Sequence, residues 1–120
     1  MTRRAPRPLI AAVLLAGAAA AHAQAPGPGR YDGELCVATG DAAPDCGPVQ
    51  VNFQRGGQLQ VRVADIVYRL QLHSSQLDVV LMHGAMQIDG FTANYEWAGK
   101  ALTFRDPDKP VSYRLQVGRR

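Results

Sequence analysis

The segment whose reading decides the fold runs from Gly84 to Phe104, GAMQIDGFTANYEWAGKALTF. Apolar and polar residues alternate along it, as in a strand with one buried face, but the alternation changes phase twice. Met86 and Ile88 occupy even positions, Phe91, Ala93, Tyr95 and Trp97 odd ones, and Leu102 and Phe104 even ones again. A two-residue hairpin sets odd positions opposite even ones, so each change of phase marks a turn or an extra residue. With Ala98-Gly99 as a turn, Tyr95 faces Leu102 and Ala93 faces Phe104. With Asp89-Gly90 as another, Ile88 meets Phe91 and Met86 meets Ala93. With His83-Gly84 as a third, Leu81 meets Met86 and Val79 meets Ile88. All of these apolar residues then share one surface.

The same test extends outward. A four-residue loop, Asp106 to Lys109, pairs Phe104 with Val111 and Leu102 with Tyr113, and Leu115 and Val117 continue that face. Ser74-Ser75 as a turn pairs Leu72 with Leu77, Leu70 with Val79 and Tyr68 with Leu81. A three-residue loop, Arg55 to Gly57, pairs Phe53 with Leu59 and Val51 with Val61, and Gly57 supplies the left-handed position such a loop needs. Tyr31, Gly33, Leu35 and Val37 fit beside Val49 and Val51. At Ala64-Asp65 a bulge in one long bent strand is the expectation, because that pair is poor turn chemistry. Asp89-Gly90 is open to either reading. The prediction is an all-β antiparallel meander of seven to nine strands, with eight as the central value. Closure into a small barrel removes the sheet edges; a two-sheet sandwich is the alternative. Phe53, Tyr68, Phe91, Tyr95 and Phe104 point inward and predict a packed interior.

Residues 1–23 stand outside this pattern. Arg3, Arg4 and Arg7 precede an apolar run from Leu9 to Ala21, and Ala21-His22-Ala23 follows. These are the three parts of a secretory signal peptide, in the alanine-rich style of a Gram-negative bacterium, with cleavage expected between Ala23 and Gln24. The cleavage point carries no cysteine, so neither a lipid nor any other membrane anchor is expected after signal removal. The remaining chain divides into a Pro/Gly spacer, 24–30, and one β domain, 31–118. Three of the 13 basic residues lie in the signal and none of the 10 acidic ones does, so the mature chain carries ten of each. That neutrality gives no support to nucleic-acid binding.

The only two cysteines, Cys36 and Cys46, enclose VATGDAAPD, a run of turn formers. In an exported chain such a pair is expected as a disulfide. The chain is expected to be secreted or periplasmic.

No catalytic constellation emerges. His73 and His83 are expected as exposed turn residues at opposite ends of the strand Leu77 to Met82, roughly 20 Å apart, too far to share a metal. Asp106 and Asp108 belong to a loop, and Asp89 and Glu96 are scattered. Neither a metal, nor a cofactor, nor an enzyme activity is expected. The expected function is a non-catalytic protein-interaction or inhibitor-type module with an unknown protein partner; the alternative is a carrier of one small apolar ligand in the barrel. Two candidate surfaces follow from register: an outward apolar patch of Val67, Val80 and Met82, and Trp97 with Lys100 at the rim. In size, export and disulfide use the chain resembles small periplasmic barrels that inhibit lysozyme, a resemblance of architecture with no motif residues behind it.

Overall fold

The computed structural model describes residues 25–118. The signal peptide, its Ala23/Gln24 cleavage site and the terminal arginines lie outside the described residues. Eight antiparallel strands follow in order: β1 (Gly29–Thr39), β2 (Asp45–Phe53), β3 (Gln58–Val63), β4 (Ile66–Leu72), β5 (Gln76–His83), β6 (Met86–Ala98), β7 (Ala101–Arg105) and β8 (Val111–Val117). Each pairs with the next, and β1 returns to β8 from Gly33↔Val117 to Thr39↔Val111, closing a barrel. At that seam a side chain on Gly33 would lie 2.8 Å from the Gln116 carbonyl oxygen, so the absence of a Cβ lets β8 approach β1. The strand begins at Gly29, so the last two residues of the expected spacer already pair with β2.

The interior is apolar and filled. Leu59, Leu77, Leu102 and Leu115 are fully buried, with Val51, Val61, Val79 and Val117; each leucine contributes roughly 1.5–3 kcal/mol by leaving water. Phe53 and Phe104 are buried, while Tyr68, Phe91 and Tyr95 are half-buried against the same core. The internal cavity between Leu35, Val61, Tyr68, Leu70, Phe104 and Leu115 holds about 10 Å³, no more than one water molecule needs.

The pairings expected across the Arg55–Gly57 and Ser74-Ser75 turns are present: Phe53↔Leu59, Val51↔Val61, Leu72↔Leu77, Leu70↔Val79 and Tyr68↔Leu81. Three turns are corrected by one residue each. The β5–β6 turn is Gly84-Ala85 and the β6–β7 turn is Gly99-Lys100, so Tyr95 faces Phe104 and Trp97 faces Leu102. Gly84 and Gly99, with φ of 62° and 63°, take the first turn position, and no positive φ follows them. That is the Gly-first hairpin turn, not the Asn-Gly-like one that places glycine second. Moving a turn by one residue moves the register by two, which preserves the buried face. The β7–β8 loop likewise starts one residue later: Asp106 N–H donates to Val111 C=O, and Phe104 faces Tyr113. The buried Asp106 carboxylate accepts the Asp108 N–H at 2.8 Å, fixing the loop from inside.

The two ambiguous breaks exchange roles. Ala64-Asp65 is a hairpin turn, with Val63 facing Ile66 and Ala64 at φ 53°. Asp89-Gly90 is no turn: β6 runs through it. The register slips between Leu81↔Asp89 and Met82↔Gln87, leaving Ile88 as the extra residue of a bulge. Met86 and Ile88, expected inward, are therefore the exposed large apolar residues among the described ones, at 64% and 50%.

Candidate functional site

Barrel closure brings together outward-facing residues from the two ends of the domain. One row runs across five strands: Cys46 faces Cys36, Cys36 faces Arg114, Arg114 faces Thr103, and Thr103 faces Glu96. A second row beside it runs from Ala38 to Ser112 to Arg105. Small side chains, Ala38, Thr103 and Ser112, and the Cys36–Cys46 bridge line much of this surface, with Arg114 between Cys36 and Thr103. Pro44, Glu96 and Arg105 stand towards its ends. The result is a groove of about 660 Å³ on the outside of the barrel, within the size range of ligand sites.

The disulfide is formed, with the two Cα atoms 4.0 Å apart. It pins β1 to β2 at one wall of the groove. Such a bridge is compatible with an oxidising compartment outside the cytoplasm, and among the described residues no helix is long and apolar enough to cross a membrane. Glu34, Cys36 and Cys46 are the only three candidate metal ligands that converge among the described residues; the bridge consumes both sulfurs and leaves a single carboxylate. Arg114 donates to Gln116 at 3.1 Å. Arg105 and Glu96 make no salt bridge among the described residues, so the groove keeps a cation and an anion available. Comparison with protein families, with curated proteins and with solved structures finds no match.

A second hollow, of about 560 Å³, adjoins the first and shares Asn94 and Arg105 with it. It lies between β6 at Thr92–Asn94 and the β7–β8 loop, Arg105–Pro110. The hollow exists because β6 has 13 residues and β7 only five, so β7 covers β6 from Tyr95 onward and no farther. Lys109 Nζ reaches Asp89 Oδ2 at 2.9 Å and bridges the far end.

Of the residues singled out from sequence, Cys36 and Cys46 line the groove, whereas the two candidate interaction surfaces and the histidines fall elsewhere. Val67 faces Met82 and Arg69 faces Val80 in the expected register; Val67, Val80 and Met82 are half-buried, with Ile88 exposed nearby on β6. Trp97 is half-buried and lies against the Phe53 ring at 6.2 Å, over one end of the core. Lys100 is exposed in the turn beside it, and its carbonyl accepts the Val117 N–H. His73 and His83 are exposed at opposite ends of β5, but neither is alone. His73 Nε2 lies 3.0 Å from Asp78 and His83 Nε2 2.9 Å from Asp65. Thr92 Oγ1 donates to the other Asp78 oxygen at 2.6 Å. Both aspartates are held below the usual 3.8. The histidine hydrogen bond is the largest cause at Asp65, the Thr92 hydroxyl the largest at Asp78. Neither imidazole contacts a hydroxyl or thiol among the described residues, so the pairs clip neighbouring strands without arming a nucleophile.

Proposed function

We propose that the protein is an exported interaction module that binds a protein partner through the outer groove between β6, β7, β8 and the β1–β2 disulfide. The observation that carries this reading is the contrast between inside and outside. The barrel interior leaves about 10 Å³, too little for even a small apolar ligand, whereas the outer groove offers about 660 Å³. Small residues along it admit a protruding group, and Arg105 and Arg114 favour an acidic one. The sheet and the disulfide preorganise this surface, which lowers the ordering cost of binding. The signal-like N-terminal segment supports delivery to the periplasm or beyond.

Native mass spectrometry of the protein recovered from the exported fraction tests the reading. The expected result is a complex with a second protein that is lost when Ser112→Trp fills the groove or Arg105→Glu reverses its charge. A complex insensitive to both changes, or a bare monomer throughout, overturns it. An added mass of a small molecule in place of a protein would favour the carrier reading.

A further inference from the structure

The hollow beside β6 is more than a recess, because it exposes a sheet edge. The Tyr95 N–H donates to the Ser75 carbonyl on the β5 side. In an antiparallel strand the next residues point their main-chain groups the other way, so Gly90, Thr92 and Asn94 direct theirs into the hollow. Gly90 N–H is satisfied by the Asp89 carboxylate at 2.8 Å. Continued by one pair, the β6–β7 register sets Arg105 opposite Asn94, where β7 ends. Between these two points the Gly90 carbonyl and both main-chain groups of Thr92 meet no strand among the described residues. An uncovered edge of this kind is a template for another strand.

We propose that β6 receives an extended segment of the partner along its open edge at Gly90–Asn94, with an acidic side chain of that segment on Arg105. The proposal rests on the groove reading above and names the way the partner enters it. Its dimensions fit. From Asp89, where Lys109 bridges the slot, to Asn94 at the end of β7 is roughly 17 Å of strand, room for about five extended residues. A second copy of this chain does not fit, since its 13-residue β6 carries β7 along one side and β7 already fills the line beyond Asn94. Charge selects the end that an acidic residue takes. Lys109 is matched by Asp89, and the buried Asp106 carboxylate is turned to the Asp108 N–H. Among the described residues that leaves Asp108 without an ion-pair partner at the loop end and Arg105 without one at the β7 end. The slot opens there into the groove through the shared Arg105 and Asn94, so a segment paired with Thr92 continues over Thr103 and Ser112.

The test uses the whole mature protein and a probe peptide: an acetylated, amidated hexapeptide of alternating valine and threonine ending in glutamate, followed by amide NMR. The expected result is saturable shifts at Thr92, Asn94 and Arg105, abolished when the peptide is N-methylated at alternate residues. A glutamine ending, or Arg105→Gln in the protein, weakens binding about two- to fivefold, the range of an exposed charge pair. The N-methylated peptide leaves the protein untouched, so misfolding of a variant cannot mimic the result. Equal binding of the N-methylated peptide overturns the proposal, as does the absence of shifts at Gly90–Asn94 at millimolar peptide. Shifts confined to Cys36, Ser112 and Arg114 would remove the edge and leave the groove reading standing.

Discussion

Phe104 and Tyr113 stack across β7 and β8, their ring centroids 4.9 Å apart and their planes 14° from parallel. Phe91 lies against both rings, 5.9 Å from Tyr113 and 6.3 Å from Phe104. These three rings close the core beneath the slot along β6. Burial pushes the Tyr113 phenol up to about 12, with the charges of Tyr68, Asp106 and Asp89 adding to the effect. A folded-state value above the unfolded one, near 10, means stability that is complete below pH 10 and lost as pH rises towards 12. Urea denaturation at increasing pH should therefore show a falling limb across that window. Tyr113→Phe keeps the stack and removes the ionisation, so its limb should be shallower. An unchanged limb in Tyr113→Phe would show that other groups control alkaline unfolding.

How much of this was legible before the structure depends on what each residue could signal. Apart from Met86 and Ile88 at the start of β6, the buried faces of the hairpins followed from period-two alternation, because an error of one residue in a turn shifts register by two and leaves the faces intact. Which glycine position the turn uses was not legible: Gly84 and Gly99 serve either turn class, and only the backbone around them decides. Ile88 was misread because a bulge and a turn flip the phase alike. The groove was invisible for a different reason. Ala38, Thr103 and Ser112 are outward residues with no signal of their own, and Ala38 and the disulfide join the other two only once β1 pairs with β8. The two histidine–aspartate pairs depend on cross-strand neighbours, Asp65 across the β4–β5 pairing and Asp78 beyond the Ser74-Ser75 turn, that only exact turn geometry sets.

Ala64 is the one residue other than glycine with a positive φ among the described residues, at 53°. A left-handed conformation strains an alanine by about 1 kcal/mol, and glycine relieves it. Ala64→Gly should stabilise the protein by about 0.5–1 kcal/mol, partly offset by the freer unfolded chain. The midpoint of urea unfolding should rise with the m-value unchanged. A lower midpoint would mean that the turn tolerates alanine without strain.

The Cys36–Cys46 bridge joins facing residues of β1 and β2 and closes a short loop of sequence separation 10. Its removal by Cys36→Ser with Cys46→Ser should cost roughly 2–3 kcal/mol in the chain-entropy picture. The same change loosens the groove wall and leaves the β5–β6 ladder untouched. Hydrogen exchange should then accelerate first at Leu35–Thr39 and Asp45–Gly47. Uniform acceleration across all strands would show that the bridge acts only through global stability.

At low pH three aspartates on the outside of the barrel lose a contribution to stability. Asp65, Asp78 and Asp89 are all held below the usual 3.8: by His83 at Asp65, by Thr92 and then His73 at Asp78, and by Lys109 and then the Gly90 N–H at Asp89. A depressed folded-state value contributes stability that is present above the unfolded value and lost as pH falls through the folded one. Unfolding free energy should therefore be level down to roughly pH 5 and decline below it. High salt should flatten the Lys109–Asp89 part, which is a surface ion pair with Asp89 half-buried. The sharper check is local. Thr92→Val removes the leading cause at Asp78 alone, so in a carboxyl-carbon NMR titration the Asp78 midpoint should rise towards 3.8. The Asp65 and Asp89 midpoints should stay where they are. An Asp78 midpoint unmoved by Thr92→Val would assign its depression to His73, across the Ser74-Ser75 turn, and not to the hydrogen bond from β6.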